Sequence, residues 1–254
     1  MLKVEELLEL TKSIAAKAGL RLLDNLSQEN KEFVYSSEHP KEIKALADTV
    51  LERDILKALI PTGLPILSEE SGNIAGQQES KYRFIVDPLD GTFNFVKGLG
   101  SCAISIALWQ DQKPIFGVIY SLMERQLFWG GGDIGAYCDD QVIQASDTLN
   151  KSEASICTGF PVRFESENNL TMQKFLRMVR QYSKVRMLGS AAVSLVNVAK
   201  GAADVYSEQN IMIWDVAAGL AIVEGAGGSV HFDPGTIEHS LDVYASNRHL
   251  SKPN

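Results

Sequence analysis

Between residues 154 and 232 the hydrophobic rhythm of the chain switches repeatedly between two periods, and this alternation limits the fold more than any other feature. Short apolar runs near 154–158, 184–187, 202–207 and 229–232 read as strands. The segments 167–182, 190–200 and 214–226 carry apolar residues at helical spacing. Each helix must bury its apolar stripe against a sheet, so strand–helix alternation predicts an α/β layer. The first half has a different order. Residues 2–26 read as a helix through Leu7, Leu8, Ile14, Ala18 and Leu22. Residues 41–60 read as another, through Val50, Leu51, Ile55 and Leu59, stopped by Pro61 and Gly63. Ile66–Leu67, Tyr82–Val86, 101–109, 114–120 and 126–129 follow as expected strands. The change of rhythm places a seam near residue 150. The expected halves are 1–150 and 151–254, sharing an interface because no long linker separates them.

Composition removes several functional classes. The longest uncharged apolar run, Cys102 to Gln110, is too short to cross a bilayer. The first residues are acidic and amphipathic, without a basic flank and apolar block, so no signal peptide is expected and the cytoplasm is the expected location. Net charge is −8 and the basic residues are scattered, which argues against a nucleic-acid duplex as partner. A small anionic substrate stays compatible if local cations offset the acidic field. Cys102, Cys138 and Cys157 form no CxxC pair and no zinc-like cluster, and read as reduced, structural thiols. His39, His231, His239 and His249 are scattered and read as surface or packing residues.

Chemistry concentrates in four segments. The first is Asp87-Pro88-Leu89-Asp90-Gly91-Thr92, read as a turn at the end of the Tyr82–Val86 strand. Pro88 holds Asp87 extended, and Gly91 frees the backbone to turn. Two carboxylates and the Leu89 carbonyl can then converge, and hard oxygen ligands of this kind suit Mg²⁺. An Asp-rich surface turn would have the same composition. Thr92 is placed as the N-cap of a following helical turn, whose free amides would suit a phosphate. The second segment, Ser68-Glu69-Glu70-Ser71-Gly72, adds carboxylate at another strand end, or is simply exposed charge. In the third, Trp214-Asp215-Val216, Asp215 opens an apolar helix, where an acid is favoured by the helix dipole in any case. The fourth, Gly189-Ser190-Ala191-Ala192, allows close approach of a ligand or only of a helix.

In order and spacing these segments resemble the inositol monophosphatase family of metal-dependent phosphatases. The resemblance includes Thr92-Phe93-Asn94-Phe95, Gly201 to Tyr206 and Glu224-Gly225-Ala226-Gly227-Gly228, and spans most of the chain. It implies a layered αβαβα sandwich, an α/β fold that some schemes class as α+β, assembled as a homodimer. It implies hydrolysis of a small phosphate monoester, activation by two or three Mg²⁺ ions per site, and sensitivity to Li⁺. By the same resemblance Glu69, Asp87 and the Leu89 carbonyl would hold one metal. Asp87, Asp90 and Asp215 would hold a second. Thr92 and Asp48, with Glu69, would activate the attacking water. Asp90, Asp215 and the Gly91 and Thr92 amides would contact substrate, Glu208 its hydroxyls, and Gly189, Ser190 and Ala191 would line the pocket. The electrostatics agree. Carboxylates about 4 Å apart repel by roughly 4 kcal/mol per pair at an effective dielectric near 20, so such a cluster calls for cations.

The early segments depart from the family pattern. Tyr35-Ser36-Ser37-Glu38-His39-Pro40 lacks the usual loop lysine, and Lys44-Ala45-Leu46-Ala47-Asp48 keeps the aspartate but not the threonine. Lys44 is taken as a substitute cation, an idea that unchanged metal activation in Lys44→Ala would end. The substrate expected first is an inositol phosphate or related sugar phosphate. A 3′(2′),5′-bisphosphate nucleotidase and a fructose-1,6-bisphosphatase are alternatives of the same chemistry. A catalytically silent regulatory member of the family and a metal-binding scaffold are alternatives of a different class.

Overall fold

The computed structural model describes residues 3–27, 40–160 and 169–250, with the side chains of 25–27, 40–46 and 169–170 outside the description. Helices α1 (Val4–Ser27) and α2 (Pro40–Leu59) form an outer layer. They cover a mixed sheet built from β1 (Ile66–Ser68), β2 (Gly72–Ile74), β3 (Tyr82–Asp90), β4 (Ala103–Gln110), β5 (Lys113–Ser121), β6 (Gln126–Gly131), β7 (Gly135–Cys138) and β8 (Gln141–Val142). A short helix α3 (Thr92–Lys97) leaves β3. The strand order is β2-β1-β3-β4-β5-β6-β7-β8, antiparallel except where β1 runs parallel to β3. The remaining elements are β9 (Ser155–Cys157), α4 (Asn169–Val179), β10 (Lys184–Arg186), α5 (Ala191–Ala199), β11 (Val205–Met212), α6 (Ile213–Gly225), β12 (Ser229–Pro234) and β13 (Ser240–Ser246). Their strands form a second sheet in the order β10-β9-β11-β13-β12.

The layering follows from side-chain alternation along the strands. On β3, Phe84 and Val86 join the core under α1 and α2, while Ile85 joins the core with α5 and α6. On β4, Ile104, Ile106 and Leu108 face the first core, and Ala103, Ala107 and Trp109 face the second. The same rule places β13: Val243 and Ala245 point at α5 and α6, and Tyr244 joins Met178 of α4 on the far side. The molecule is therefore α1/α2, sheet, α5/α6, sheet, α4, the layered sandwich expected. Helix α6 touches both sheets and carries Ala217, Ala218, Leu220 and Ile222 fully buried. Among the described residues no helix is long and apolar enough to cross a membrane.

The structure corrects several elements. β3 runs on through Asp90, so Asp87 to Asp90 belong to a strand and not to a turn. β11 begins at Val205, not 202, because the amides of Ala202 and Ala203 both return to the Asn197 carbonyl and close the end of α5. β2, β7, β8 and β13 had no sequence expectation. The expected loop at 35–39 and the Lys44 side chain fall outside the described residues.

Candidate active site

The site begins with an irregularity in β3. Asp87 stands opposite Ser105 and Asp90 opposite Ala103, so three steps on β3 face two on β4. A bulge of this kind turns the strand. Ile85 and Leu89 would share a face in a regular strand, yet Ile85 faces α5 and α6 while Leu89 packs under α1 and α2. The Asp87 carboxylate is pinned at one oxygen by the Leu89 amide, which donates to Oδ1 at 2.9 Å. Its other oxygen, Oδ2, is buried with no hydrogen-bond donor among the described residues.

Glu69 arrives from the next strand. Its amide donates to the Val86 carbonyl at 3.1 Å, extending the β1–β3 ladder to the residue that carries the carboxylate. The segment is clamped from below by Glu52 of α2. Glu52 accepts from the Ser68 hydroxyl and, at 3.0 and 2.7 Å, from the Ser71 amide and hydroxyl. Asp215 lies in the first turn of α6, where the helix dipole favours an acid. Glu69, Asp87 and Asp215 each offer an oxygen within 4.8 Å of the others.

Burial and mutual repulsion act together on this group. Burial first, then the charges of Glu69, Asp90 and Asp215, hold the Asp87 carboxyl well above the ordinary carboxylate range. Burial, then Asp90 and Glu69, raise Asp215 in the same way. A buried carboxylate oxygen without a donor, on a residue that meets two further carboxylates, suits a hard divalent cation.

Asp90 has a different setting. Its Oδ2 accepts from the Ser190 hydroxyl and, at 2.9 Å, from the Ala192 amide. Ser190 is the N-cap of α5, accepting from the Val193 amide at 3.1 Å. Asp90 thus ties β3 to the start of α5. Burial pushes it up to about 7, although the Ser190, Ala192 and Ala191 donors act to lower it.

Thr92 is not the helix cap. Gly91 takes that place at φ 80°, and a Cβ there would collide with the Ser101 carbonyl, so glycine is required on both counts. Thr92 is the first residue of α3. Its hydroxyl donates to the Leu89 carbonyl at 2.8 Å, and Asp48 Oδ1 stands 3.4 Å away. Asp48 and Thr92 are both buried.

Beside the acids lies a cavity of about 210 Å³. Asp90, Gly189, Ser190, Ala191, Glu208 and Asp215 line it, together with residues that sequence reasoning did not single out as site residues: Thr158, Gly159, Ser194, Tyr206 and Ile211. Gly91, Thr92, Glu69 and Asp87 are not among its walls. Asn94 bonds the Ser101 and Leu188 carbonyls at 2.8 and 2.7 Å, fixing the Gly189 corner against α3. Burial raises the Cys102 thiol to about 12 and Cys157 to about 11, so neither is a ready nucleophile. Sequence reasoning also passed over Glu52, although it sits one helical turn after Asp48 on α2.

Three carboxylates close enough to share a cation, beside a half-open cavity in this layered fold, agree with a hydrolase of phosphoric monoesters. The chain belongs to the inositol monophosphatase family, whose sequence model matches residues 3–250. It is 31% identical to a fructose-1,6-bisphosphatase/inositol-1-monophosphatase of Aquifex aeolicus, over 98% of this chain and 94% of that one. It is 32% identical to the Nus factor SuhB of Xylella fastidiosa, over 76% and 68% of the two chains. The solved inositol monophosphatase of Anabaena superposes with a TM-score of 0.80 at 30% identity, covering 97% of this chain and 92% of that one.

Proposed function

We propose that the chain hydrolyses a small polyhydroxylated phosphate monoester, an inositol phosphate or related sugar phosphate, with Mg²⁺ as activator. The observation that carries this is the meeting of the Glu69, Asp87 and Asp215 carboxylates within 4.8 Å, with Asp87 Oδ2 buried and without a donor among the described residues, beside a cavity lined by Asp90, Ser190 and Asp215. Glu69, Asp87 and the Leu89 carbonyl would hold one cation, and Asp87, Asp90 and Asp215 a second. Divalent cations bound there neutralise the acids, activate water and offset charge on the phosphoryl and leaving oxygens. The rest falls to the chain's own residues. The Thr92 hydroxyl takes a proton from the attacking water and passes its own to Asp48, which lies within reach at 3.4 Å. Water attacks phosphorus directly, the ester P–O bond breaks with inversion, the leaving oxygen takes a proton from solvent water while Asp48 returns its proton to solvent, and no phosphoenzyme forms. The Gly91 and Thr92 amides hold the phosphate, and Glu208 accepts a hydroxyl of the leaving alcohol. Li⁺ inhibits by competing at the same carboxylates, and the working form is a homodimer in the cytoplasm.

The test is a panel of inositol 1-phosphate, fructose 1,6-bisphosphate and adenosine 3′,5′-bisphosphate, comparing kcat/KM with and without Mg²⁺. The highest value is expected for the inositol ester. A clear preference for the nucleotide would replace this assignment. The names of the Aquifex and Xylella relatives justify the sugar bisphosphate and a no-turnover outcome as the other arms. Absence of turnover on every ester would favour a regulatory role.

A further inference from the structure

Two stretches of chain, Asp90 to Asn94 and Leu188 to Ala192, are tied to each other at two places. At one, Asp90 Oδ2 accepts from the Ser190 hydroxyl and, at 2.9 Å, from the Ala192 amide. At the other, the Asn94 side-chain amide donates to the Leu188 carbonyl at 2.7 Å, across 94 residues of chain. Its second N–H reaches the Ser101 carbonyl at 2.8 Å, so both donors of the buried amide are used. The neighbouring glycines are fitted to this junction. Gly189 has φ 70°, and a Cβ there would stand 2.9 Å from Asn94 Nδ2. A Cβ at Gly91 would fall 2.5 Å from the same Ser101 carbonyl that Asn94 bonds. The result is a closed ring: Asp90 to Asn94 along the chain, across to Leu188, on to Ser190, and back to Asp90.

Both sides of the ring carry parts of the site. Thr92 stands on one stretch, and Gly189, Ser190 and Ala191 on the other line the 210 Å³ cavity. Two segments tied at a single point can pivot about it, and a second tie several residues away removes the pivot. We propose that Asn94 is a positioning residue for hydrolysis: by bonding the Leu188 carbonyl it holds the Gly189–Ala191 wall of the cavity at its working distance from Thr92. The inference rests on the phosphatase function and on the role given to Thr92 above. Asn94 is not among the walls of the cavity, so it acts through its neighbours and not by touching substrate. A misplacement of about 1 Å between reacting groups can cost about a hundredfold in rate, which sets the size of the effect.

The experiment compares Asn94→Ala with a matched loss elsewhere. Asn247 is also buried, its side-chain amide also donates twice, to the Ser146 hydroxyl at 2.9 Å and the Thr148 carbonyl at 3.0 Å, and it lines no part of the cavity. Thermal melting, and kcat and KM for p-nitrophenyl phosphate per folded molecule, are measured for the wild type, Asn94→Ala, Asn94→Ser and Asn247→Ala. Both alanine variants should melt earlier, because each leaves buried partners unmet. Only Asn94→Ala should also lose kcat, by about a hundredfold, with KM changed far less. Asn94→Ser retains one donor and should lose less. Wild-type kcat per folded molecule in Asn94→Ala, or an equal loss in Asn247→Ala, overturns the inference. Should Asn94→Ala fail to fold, Asn94→Ser is judged by the same comparison, and wild-type kcat there overturns it. Wild-type protein inactive on phosphate esters would overturn the phosphatase function beneath the inference, an outcome distinct from variants that match an active wild type.

Discussion

Asp204, just before β11, and Asp87, within β3, are both buried aspartates, yet their surroundings differ in kind. Asp204 is met by donors. The Ser146 hydroxyl reaches Oδ1 at 2.6 Å, and the Ser155 amide and hydroxyl reach Oδ2 at 2.6 and 3.0 Å. Burial works to raise its pKa, but these bonds prevail and hold it below the ordinary value. Asp87 is met by acids and is driven the other way. Both are buried and burial raises both, most strongly at Asp87, so the neighbours decide whether that rise is opposed or reinforced. At Asp204 donors oppose it and favour a stable anion, while at Asp87 further acids reinforce it, the setting that a cation would relieve.

The largest effect that could break this contrast is on turnover. Asp87→Asn should lower kcat at least about a thousandfold, because several kcal/mol of charge stabilisation go with the ligand. The same substitution should raise the thermal midpoint of the metal-free protein, since one of the repelling acids is gone. Asp204→Ala should do the reverse. It leaves the Ser155 amide unmet and costs about 2–3 kcal/mol in chemical denaturation, with kcat per folded molecule retained. If both substitutions merely destabilised the fold, the distinction between the two sites would be lost.

Glu52 sharpens the comparison, for it belongs to the donor-filled kind yet serves the acid-filled one. Glu52→Ala should raise the Mg²⁺ concentration for half-activation about 10- to 100-fold, as loss of outer support for a metal ligand does, while Glu52→Gln recovers part of it. An effect on melting alone, with an unchanged Mg²⁺ requirement, would make Glu52 purely structural.

A smaller effect lies in pH dependence. In the metal-free protein Asp87, Asp90 and Asp215 have folded pKa values above their unfolded ones, so the native state binds more protons. Its stability is greatest below the unfolded carboxylate range and is lost as pH rises towards the Asp90 value of about 7. In chelator the thermal midpoint should therefore fall across this range, and saturating Mg²⁺ should flatten the slope. Asp204, with a depressed pKa, contributes in the opposite sense and only at lower pH.

Much of this arrangement was legible in the sequence because it is written locally. The strand–helix alternation pointed to an α/β second half, the family resemblance to the layered sandwich, and the Asp87-to-Thr92, Ser68-to-Gly72 and Trp214-Asp215 segments to the acids. What escaped was set by partners distant in the chain. The β3 bulge is defined only against Ser105 and Ala103 of β4, so a strand looked like a turn. β13 joins β11 to β12 at the inner part of its sheet, but its apolar run is only Val243 to Ala245 between polar ends. The Glu52 clamp spans 16 to 19 residues and the Asp90–Ser190 bond spans 100, distances over which no local pattern speaks. Thr92 looked like a cap because its side chain suits one, while the left-handed turn gave that place to Gly91.

Phosphate release from p-nitrophenyl phosphate, followed as the protein is stripped with EDTA and then titrated with Mg²⁺, addresses the central claim most directly. Release should vanish on stripping and return as the cation is restored. Release that persists undiminished in excess EDTA would contradict a metal role for Glu69, Asp87 and Asp215.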